Sequence, residues 1–418
     1  MAPAFYGVLL VISLCAPIRC VHPSRPPNRG APQPSSTKGT TTSQVASSNT
    51  DFAFRLYRRL VLKTPNQNVV FSPLSVSASL AMLSLGARST TKSQILRGLG
   101  FNPQHTPEAA IHRGFQHLVH SLNVPNQDLC VKMGSVLFIR KELRLQEQFL
   151  VDVKRLYEAE VLSTDFSNTS TALARINGYV EKETNGKVVG LVQELEPMTA
   201  MVLVNHVFFK AKWKKPFAPA DTRNSFPFLV DKRPCVRVPM MHQVEEFAFG
   251  VDLELNCSLL RMDYSGDTSV LFMLPGQGRM RQLEQALSDR RLQKWNHLLR
   301  KRWVEVFMPK FSISASYDLE TILPKMGIRD AFGKNADFSG ITKRDSLQVS
   351  KAAHKAVLDV DEEGTEAAAT SATKLVVRSK GRPASHTITF NMPFLLQITH
   401  GATGTPLFLG KVTDPTKF

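Results

Sequence analysis

Residues 357–390 read VLDVDEEGTEAAATSATKLVVRSKGRPASHTITF, and this stretch decides how the whole chain is interpreted. An apolar strand pattern ends in an acidic turn, after which Gly364 opens a run of small residues. Within that run, every second residue from Thr365 onward is small and uncharged, whereas the charged Glu366 and Lys374 have the opposite parity. Alternate residues of a β-strand share a face, so the run can join an existing sheet with its small side chains inward. A flexible polar loop is the alternative.

The same stretch carries a bond of the kind that trypsin-like proteases cleave, Arg378–Ser379. Its segment EEGTEAAA, at 362–369, resembles the hinge of inhibitory serpins. In that family the cleaved bond lies fourteen residues beyond the hinge glycine, so the resemblance implies Arg378–Ser379 as the reactive bond. The hinge residues that it implies are Glu362, Gly364, Thr365, Glu366, Ala367, Ala368 and Ala369.

The resemblance to serpins covers nearly the whole chain after residue 48. Matching segments are NVVFSPLS at 68–75, LVNHVFFKAKW at 203–213, FNMPFL at 390–395 and PLFLGKV at 406–412. Within the family, the sequence is most similar to the α1-antitrypsin-like group, clade A. The resemblance implies an α+β serpin fold with three β-sheets, roughly eight to nine helices and an exposed reactive-centre loop at about 362–385.

Two groups of site residues follow from the resemblance. The first lies beneath sheet A, the central serpin sheet, and governs the parting of its strands: Ser72, Ser75, Asn205 and His354. The second lies where the loop first enters sheet A: Trp213, Lys310 and Glu362, with an ion pair between Lys310 and Glu362. The residue pattern without the resemblance predicts only that Asn205 is buried and hydrogen-bonded, because it lies in an apolar run and needs a buried partner in any fold. A plain core network is therefore the alternative for the first group.

The composition is that of a globular chain with a large core. The chain has 418 residues, of which 43% are hydrophobic, and no internal linker is evident after residue 50. A short apolar run near the start predicts a signal peptide at 1–23, and residues 24–48, rich in Pro, Ser and Thr, predict a disordered tail. We therefore expect a single serpin domain at 49–418, without a membrane span.

Several features fit a secreted, extracellular glycoprotein. Sequons at Asn168 and Asn256 predict N-glycosylation. Beyond the predicted signal peptide, Cys130, Cys235 and Cys257 allow at most one disulfide. The formal net charge of +17 favours polyanionic partners such as glycosaminoglycans.

Residues 283–302 form a second informative stretch, with several cations that share one face if the stretch is a helix. This region resembles a glycosaminoglycan site on helix H of some serpins. The predicted heparin-binding residues are Arg290, Arg291, Lys294, His297, Arg300, Lys301 and Arg302. A solvated basic face is the alternative. Heparin or another glycosaminoglycan would accelerate the reaction by bridging inhibitor and protease, and no other cofactor is expected.

Common catalytic motifs are absent from the sequence. It contains no G-x-S-x-G, H-E-x-x-H, P-loop or C-x-x-C, so we expect neither an enzyme nor a metal site. The resemblance implies a monomeric inhibitor that traps a trypsin-like serine protease as a covalent acyl complex, after cleavage at Arg378 and insertion of the loop into sheet A. No nucleic-acid partner is expected. The alternative is a non-inhibitory serpin that binds a small ligand or a polyanion.

Overall fold

The computed structural model of the chain describes residues 36–123, 129–230, 235–343, 346–365 and 384–417. The predicted signal peptide at 1–23, the hinge residues 366–369 and the bond Arg378–Ser379 lie outside these ranges.

Eight α-helices occur in the described residues. They are α1 (Ser36–Lys63), α2 (Pro73–Gly86), α3 (Ser89–Gly98), α4 (Glu108–Asn123), α5 (Glu147–Tyr157), α6 (Thr169–Glu183), α7 (Met280–Ala286) and α8 (Asp289–Leu298). Short 3-10 helices lie at Pro219–Asp221, Leu319–Thr321, Leu323–Met326 and Asp330–Phe332.

Within the described residues, the strands fall into two hydrogen-bonded sheets, and the α+β prediction is confirmed. The first seven described strands are β1 (Val69–Phe71), β2 (Leu129–Arg140), β3 (Glu160–Thr164), β4 (Met201–Lys212), β5 (Arg223–Phe228), β6 (Val236–Asp252) and β7 (Cys257–Asp263). The next eight are β8 (Thr268–Pro275), β9 (Arg300–Pro309), β10 (Phe311–Asp318), β11 (Lys351–Val360), β12 (Gly364–Thr365), β13 (His386–Thr389), β14 (Phe394–His400) and β15 (Pro406–Val412).

Sheet A has the strand order β10–β11–β4–β2–β3, and the short β12 pairs with the end of β4. The central strand β4 is antiparallel to β2 and parallel to β11. Its residues 201–209 are all buried, as expected for a nearly continuous apolar strand that is covered on both faces.

The second sheet joins two of the three predicted sheets. Its order is β1–β15–β14–β8–β7–β6–β9–β13, with β5 beside β6. The 17-residue β6 is long enough to pair with β5 near its start and with β7 at residues 248–252. One long strand therefore makes the two predicted sheets continuous.

The main core lies between the two sheets and around α2. Ser72 caps the N-terminus of α2, where its Oγ accepts a hydrogen bond from the Ser75 backbone N–H, and Pro73 occupies the first turn. Nearly every residue of α2 is buried. A helix that is surrounded by core needs apolar or small residues on all sides, and the sequence of α2 provides them.

The predicted boundary between a disordered tail and the domain, at residues 48 and 49, is wrong. α1 begins at Ser36, and its Val45 and Ala46 are buried. Gln44 donates through Nε2 to Thr106 Oγ1 at 2.9 Å, which ties this part of α1 to the segment before α4. Ser and Thr have low helix propensity, but tertiary packing overrides that preference here.

α6 and the segment after it cover the other face of sheet A. Ile176 and Val180 of α6 and Val188 of that segment pack against Val202 and Val204 of β4. The central strand of sheet A therefore has a packed layer on each face. Among the described helices, none has the length and apolar character needed to cross a membrane.

Candidate functional site at the seam of sheet A

The strand β4 has different partners on its two sides. On one side, residues 201–211 pair antiparallel with residues 139–129 of β2. On the other side, residues 202–208 pair in parallel with residues 351–357 of β11. We call this parallel pairing of β4 with β11 the seam. Beyond it, β4 pairs with β12 instead of β11.

The chain leaves β11 through a tight turn that requires glycine. Asp361 Oδ1 accepts hydrogen bonds from the backbone N–H groups of Glu363, at 3.0 Å, and Gly364, at 3.1 Å. Gly364 has a φ of +148°, and a Cβ at this position would lie 2.1 Å from the carbonyl oxygen of Ala211. Any side chain at Gly364 would therefore meet the backbone of β4.

Glu362 connects this turn to the second sheet. Its carboxylate lies 2.7 Å from Lys310 Nζ and accepts a hydrogen bond from Thr222 Oγ1 at 2.8 Å. Burial raises the pKa of Glu362, but the hydrogen bonds from Lys310 and Thr222 outweigh that effect, so the pKa lies below its usual value. The carboxylate is therefore ionised at neutral pH.

Trp213 holds the same turn from the side of β4. Its Nε1 donates to the Asp361 carbonyl oxygen at 3.0 Å, and its backbone N–H donates to the Glu363 carbonyl oxygen at 2.8 Å. Its ring stacks on Tyr264 with centroids 4.3 Å apart and an interplanar angle of 9°. We call Trp213, Lys310 and Glu362 together the hinge anchor.

Beneath the seam, four polar residues form one buried network, the seam cluster: Ser72, Ser75, Asn205 and His354. His354 of β11 lies beside Asn205 of β4, with its Nδ1 2.5 Å from Asn205 Oδ1. The Ser72 backbone N–H donates to His354 Nε2 at 3.1 Å. A backbone N–H can only donate, so Nε2 is the acceptor and the neutral ring carries its proton on Nδ1. Asn205 Nδ2 donates to the Ser75 carbonyl oxygen at 2.9 Å.

The bond between His354 and Asn205 crosses the seam. Burial lowers the pKa of His354 to about 3, so the ring is neutral at physiological pH. A new strand between β4 and β11 would increase the spacing of these two strands from about 4.8 Å to about 10 Å. The bond must therefore break whenever the seam admits a strand.

The basic stretch at 283–302 is not one helix. α8 ends at Leu298, and Arg300, Lys301 and Arg302 belong to β9, where they pair with β6. The prediction of a continuous helical face is therefore wrong. Beyond residue 300, alternate residues such as Val304 are buried, and burial at a period of two requires a strand.

Acidic neighbours neutralise part of the predicted heparin-binding set. Arg291 Nη1 lies 2.9 Å from Glu254 and 3.2 Å from Asp252, and Lys294 Nζ lies 2.7 Å from Glu254. Within the described ranges, the exposed cations of the set that have no acidic partner are Arg290, Arg300, Lys301 and Arg302, and the exposed His297 lies near them in sequence.

The predicted sequons lie on the surface. Asn168 is the N-cap of α6, where its Oδ1 accepts from the Thr171 N–H at 3.1 Å, and Asn256 lies in the turn between β6 and β7. Both residues are exposed. Cys235 is exposed and Cys257 is buried, and both are free thiols. In the parts of the chain that the structure describes, no three His, Cys, Asp or Glu side chains are grouped as metal ligands.

The family profile of serpins, described as serine protease inhibitors, matches residues 47–415. The chain belongs to the serpin family. This serpin is 68% identical to Serpin A9 from Homo sapiens over 417 residues, which is 100% of each chain. It is 51% identical to the crystal structure of human thyroxine-binding globulin, with a TM-score of 0.86, covering 90% of this chain and 99% of that one. Human glycosylated kallistatin gives a TM-score of 0.84 at 49% identity, covering 90% and 99%.

These comparisons confirm the serpin fold and the resemblance to clade A, and to centerin, which is Serpin A9, within it. Serpins are protease inhibitors rather than catalytic enzymes. Some members are instead carriers, as the name of thyroxine-binding globulin states.

The serpin structure brings together the residues of each predicted group and adds others that the sequence did not reveal. Thr222 completes the hinge anchor, and Ser135 of β2 lies 3.3 Å from Asn205 Nδ2 in the seam cluster. Neither has a local signal, because each lies far along the chain from its partner. Asp361 did have a local sequence signal, because an Asp shortly before a Gly favours a turn in which the Asp side chain accepts backbone hydrogen bonds.

Proposed function

We propose that this serpin inhibits trypsin-like serine proteases as a suicide substrate, which is cleaved at Arg378–Ser379 and then inserts its loop into sheet A. One observation carries the proposal. Gly364 and Thr365 already lie antiparallel to β4, opposite Lys212 and Ala211, just beyond the seam. The first two residues of an added strand are therefore in register before any bond is cleaved.

This register supports the proposal by predicting which residues become buried. If the antiparallel pairing continues, Ala367 and Ala369 fall opposite Phe209 and Val207, which belong to the main core. Every second residue from Thr365 to Thr373 then faces that core. All of these are small and uncharged, so insertion avoids the cost of several kcal/mol for burying an unpaired charge.

By the same register, Ser371 falls between Asn205 and His354 when the loop inserts. The bond between those two residues breaks as the strands separate. A serine hydroxyl both donates and accepts, so Ser371 can accept from His354 Nδ1–H and donate to Asn205 Oδ1. Insertion then leaves both buried groups with a hydrogen-bond partner.

The covalent step follows the ordinary serine protease mechanism. The protease serine Oγ attacks the carbonyl carbon of Arg378, the bond to Ser379 breaks, and the catalytic histidine passes the serine proton to the leaving amine. An ester then joins Arg378 to the protease. About ten new backbone hydrogen bonds, at about 1 kcal/mol each, would supply on the order of 10 kcal/mol. That is comparable with the stability of a domain, so insertion can distort the acyl-enzyme before water hydrolyses it.

Incubation of the protein with trypsin tests this proposal. We expect an SDS-stable, heat-stable complex and a released peptide that begins at Ser379, identified by mass spectrometry. The variant Arg378→Gln should form no complex and release no such peptide. Cleavage at Arg378 without a complex would identify a substrate and contradict the proposed function.

We further propose that the protein is a secreted monomer, that a signal peptide is removed at about residue 23, and that Asn168 and Asn256 carry glycans. Exposure of both sequons supports this proposal. After expression in mammalian cells, we expect the medium to contain a monomer whose mass falls on treatment with an N-glycosidase. The variants Asn168→Gln and Asn256→Gln should each remove one glycan.

We also propose that a glycosaminoglycan accelerates inhibition through the exposed cations of α8 and β9. Elution from heparin at rising salt measures this interaction. Arg300→Gln with Arg302→Gln should lower the salt needed for elution. Glu254→Gln removes the ion pairs of Arg291 and Lys294 with Glu254, leaving only those with Asp252, and should raise the salt needed for elution. An unchanged elution in both variants would place heparin elsewhere or rule it out.

Carriage of a small ligand is the second candidate function. A cavity of about 520 Å³ lies between α1, α8 and strands of the second sheet, with Arg261, Gln293 and Gln397 among its lining residues. The similarity to thyroxine-binding globulin supports this candidate. Equilibrium dialysis with thyroxine tests it: saturable binding that Arg261→Gln abolishes would favour carriage, and no binding by the wild type would count against it.

A further inference from the structure

His206 is a buried histidine next to the seam cluster but on the opposite face of sheet A. It follows Asn205 in β4 and is 4% exposed. Its ring covers Gly134 of β2, where a Cβ would lie 2.5 Å from Nε2, and it meets the ring of Tyr179 of α6 edge-on at 6.4 Å. Across the seam, its paired neighbour is Lys355 of β11. His206 therefore lies on the seam, beneath the layer formed by α6.

The Nδ1 atom of His206 is buried and has no hydrogen-bond partner within the described part of the chain. Most buried polar side-chain atoms are paired, so a buried polar atom without a partner at the seam requires an explanation. Its partner strand β2 presents only Gly134 at this position, and α6 presents a ring face.

The charged and titratable groups around His206 do not favour a positive charge on it. On β11, Lys355 is itself a cation, and its Nζ donates to the Val189 carbonyl oxygen at 2.8 Å. On α6, Tyr179 interacts with Glu160 of β3 and with Glu183, and its pKa is raised mainly by burial. On the other face of the sheet, His354 is neutral and close enough for the two rings to repel each other when charged.

We propose that His206 makes the seam sensitive to protons: the neutral ring is compatible with a closed seam, and the protonated ring favours a parted one. The inference rests on the proposed function, because parting of the seam is the step that admits a strand. A protonated imidazole has two N–H donors, and the closed seam offers Nδ1 no acceptor. Parting of β4 and β11 lets water reach the ring and satisfy both donors.

The direction of the pH effect follows from the burial of the ring. Burial lowers the pKa of His206 to about 4, whereas an exposed histidine has a pKa of about 6.5. Above about pH 6.5 neither state binds the proton, and the closed seam keeps its full stability. As the pH falls from about 6.5 towards 4, the parted state gains the proton and the closed state does not, so closure is progressively lost. At about pH 5 this one site favours parting by up to about 30-fold.

At neutral pH, the loop would stay outside sheet A and remain available to a protease. In acid, the loop would insert into sheet A without being cleaved. A loop that inserts without cleavage cannot trap a protease, so activity would decline irreversibly in acidic surroundings. His206 is thus a positioning residue for insertion and takes no part in the covalent step.

Peptide incorporation tests this inference without any protease. A synthetic peptide with the sequence of residues 365–378, TEAAATSATKLVVR, can be incubated with the full-length protein at about pH 5 and about pH 7.5. Native gel shift and mass spectrometry report the rate at which it enters sheet A. We compare the wild type with His206→Phe, which replaces the imidazole with an apolar ring that cannot ionise, and with His117→Phe, an exposed histidine of α4 that serves as the matched control.

We expect the acid acceleration of the wild type to exceed that of His206→Phe by up to about 30-fold, which is the contribution of His206 alone. The variant should keep a smaller acid acceleration, because His354 and other groups still titrate in it. His117→Phe should keep the wild-type profile. If His206→Phe does not fold, His206→Gln gives the same comparison with a polar side chain that does not ionise. Equal acid acceleration in the wild type and in both position-206 variants would overturn the inference alone.

The failure of the proposed function looks different. Incorporation that is sensitive to His206, together with cleavage by trypsin but no covalent complex, would retain the inference and reject inhibition. The absence of incorporation at either pH would overturn both, because the seam would then not admit a strand.

Discussion

The two sides of β4 show how one strand can be held firmly by one neighbour, β2, and still separate from the other, β11. Beside β2, the paired residues Phe138 with Val202 and Val136 with Val204 are apolar and buried. Separation of these two strands would expose that apolar surface to water, at a cost of about 25 cal/mol per Å².

Beside β11, polar side chains occupy the middle of the pairing. Asn205 faces His354 on one side of the sheet, and His206 faces Lys355 on the other. Water or an incoming strand can satisfy these groups when the seam parts, so their separation costs less than that of apolar pairs. On the β2 side, the same two residues of β4 face the smaller Ser135 and Gly134. Under the proposed function, the seam, with its larger polar groups, is the side of β4 that parts.

The largest effect should come from a charge on the inserting face. Thr365→Arg would direct a guanidinium into the main core during insertion, where an unpaired charge costs roughly 3–5 kcal/mol. We expect the yield of covalent complex with trypsin to fall at least about 100-fold, with cleavage retained.

Glu366→Arg is the matched control for this change. It introduces the same side chain and the same additional trypsin site one residue further on, where the strand parity directs it away from that core. It should retain the complex. A complex of normal yield from Thr365→Arg would show that this loop does not insert in the register of β12.

A smaller effect is expected from the seam cluster. His354→Phe leaves Asn205 Oδ1 and the Ser72 N–H without their partner, and we expect a loss of about 3 kcal/mol in the free energy of unfolding, measured by urea titration. On the β2 side, Ser135→Ala removes one contact of an amide that keeps its bond to Ser75, so the loss should stay below about 1 kcal/mol. Equal losses would remove the distinction between the two sides of β4.

The smallest effect is expected at the hinge anchor. Glu362→Gln removes the ion pair with Lys310 but keeps an acceptor for Thr222, so the loss of stability should be about 1 kcal/mol. The exposed neighbour Glu363→Gln is the control and should change little.

The pH dependence of this difference has a definite sign. The pKa of Glu362 lies below its usual value in the folded protein, so its stabilisation is complete above the unfolded pKa of about 4.3. It is lost as the pH falls through the folded pKa. Unfolding curves of wild type and Glu362→Gln should therefore converge in acid, and a constant difference would exclude the ion pair as its source.

The sequence predictions about single residues rested on local motifs. Gly364 was identified from its neighbours, and its φ of +148° and the close approach of Ala211 give the physical reason. The buried polar residue Asn205 was recognised because it interrupts an apolar run. By contrast, the extent of α1 was underestimated, because its N-terminal half depends on contacts such as Gln44 with Thr106 that composition does not contain.

The basic stretch shows the same limit at a functional surface. Its charges can be counted in the sequence, but Glu254, which neutralises two of them, lies 37 and 40 residues away from Arg291 and Lys294. Helical spacing also suggested one face, whereas the burial of Val304 against the core requires a strand there. A charge pattern therefore defines a candidate set, and its partners in space decide which members remain available.

The amino-acid sequence by itself determines three features of the predicted hinge and loop: the glycine, the alternation of small residues and the cleavable arginine. Each can be recognised from residues that are neighbours in the chain. The tertiary structure alone determines that Gly364 and Thr365 pair with β4 and that His206 is buried on the seam opposite Lys355. The physical reason is that side-chain period and turn chemistry act over a few residues, whereas strand pairing, burial and desolvation depend on groups that are distant in the chain and adjacent in space.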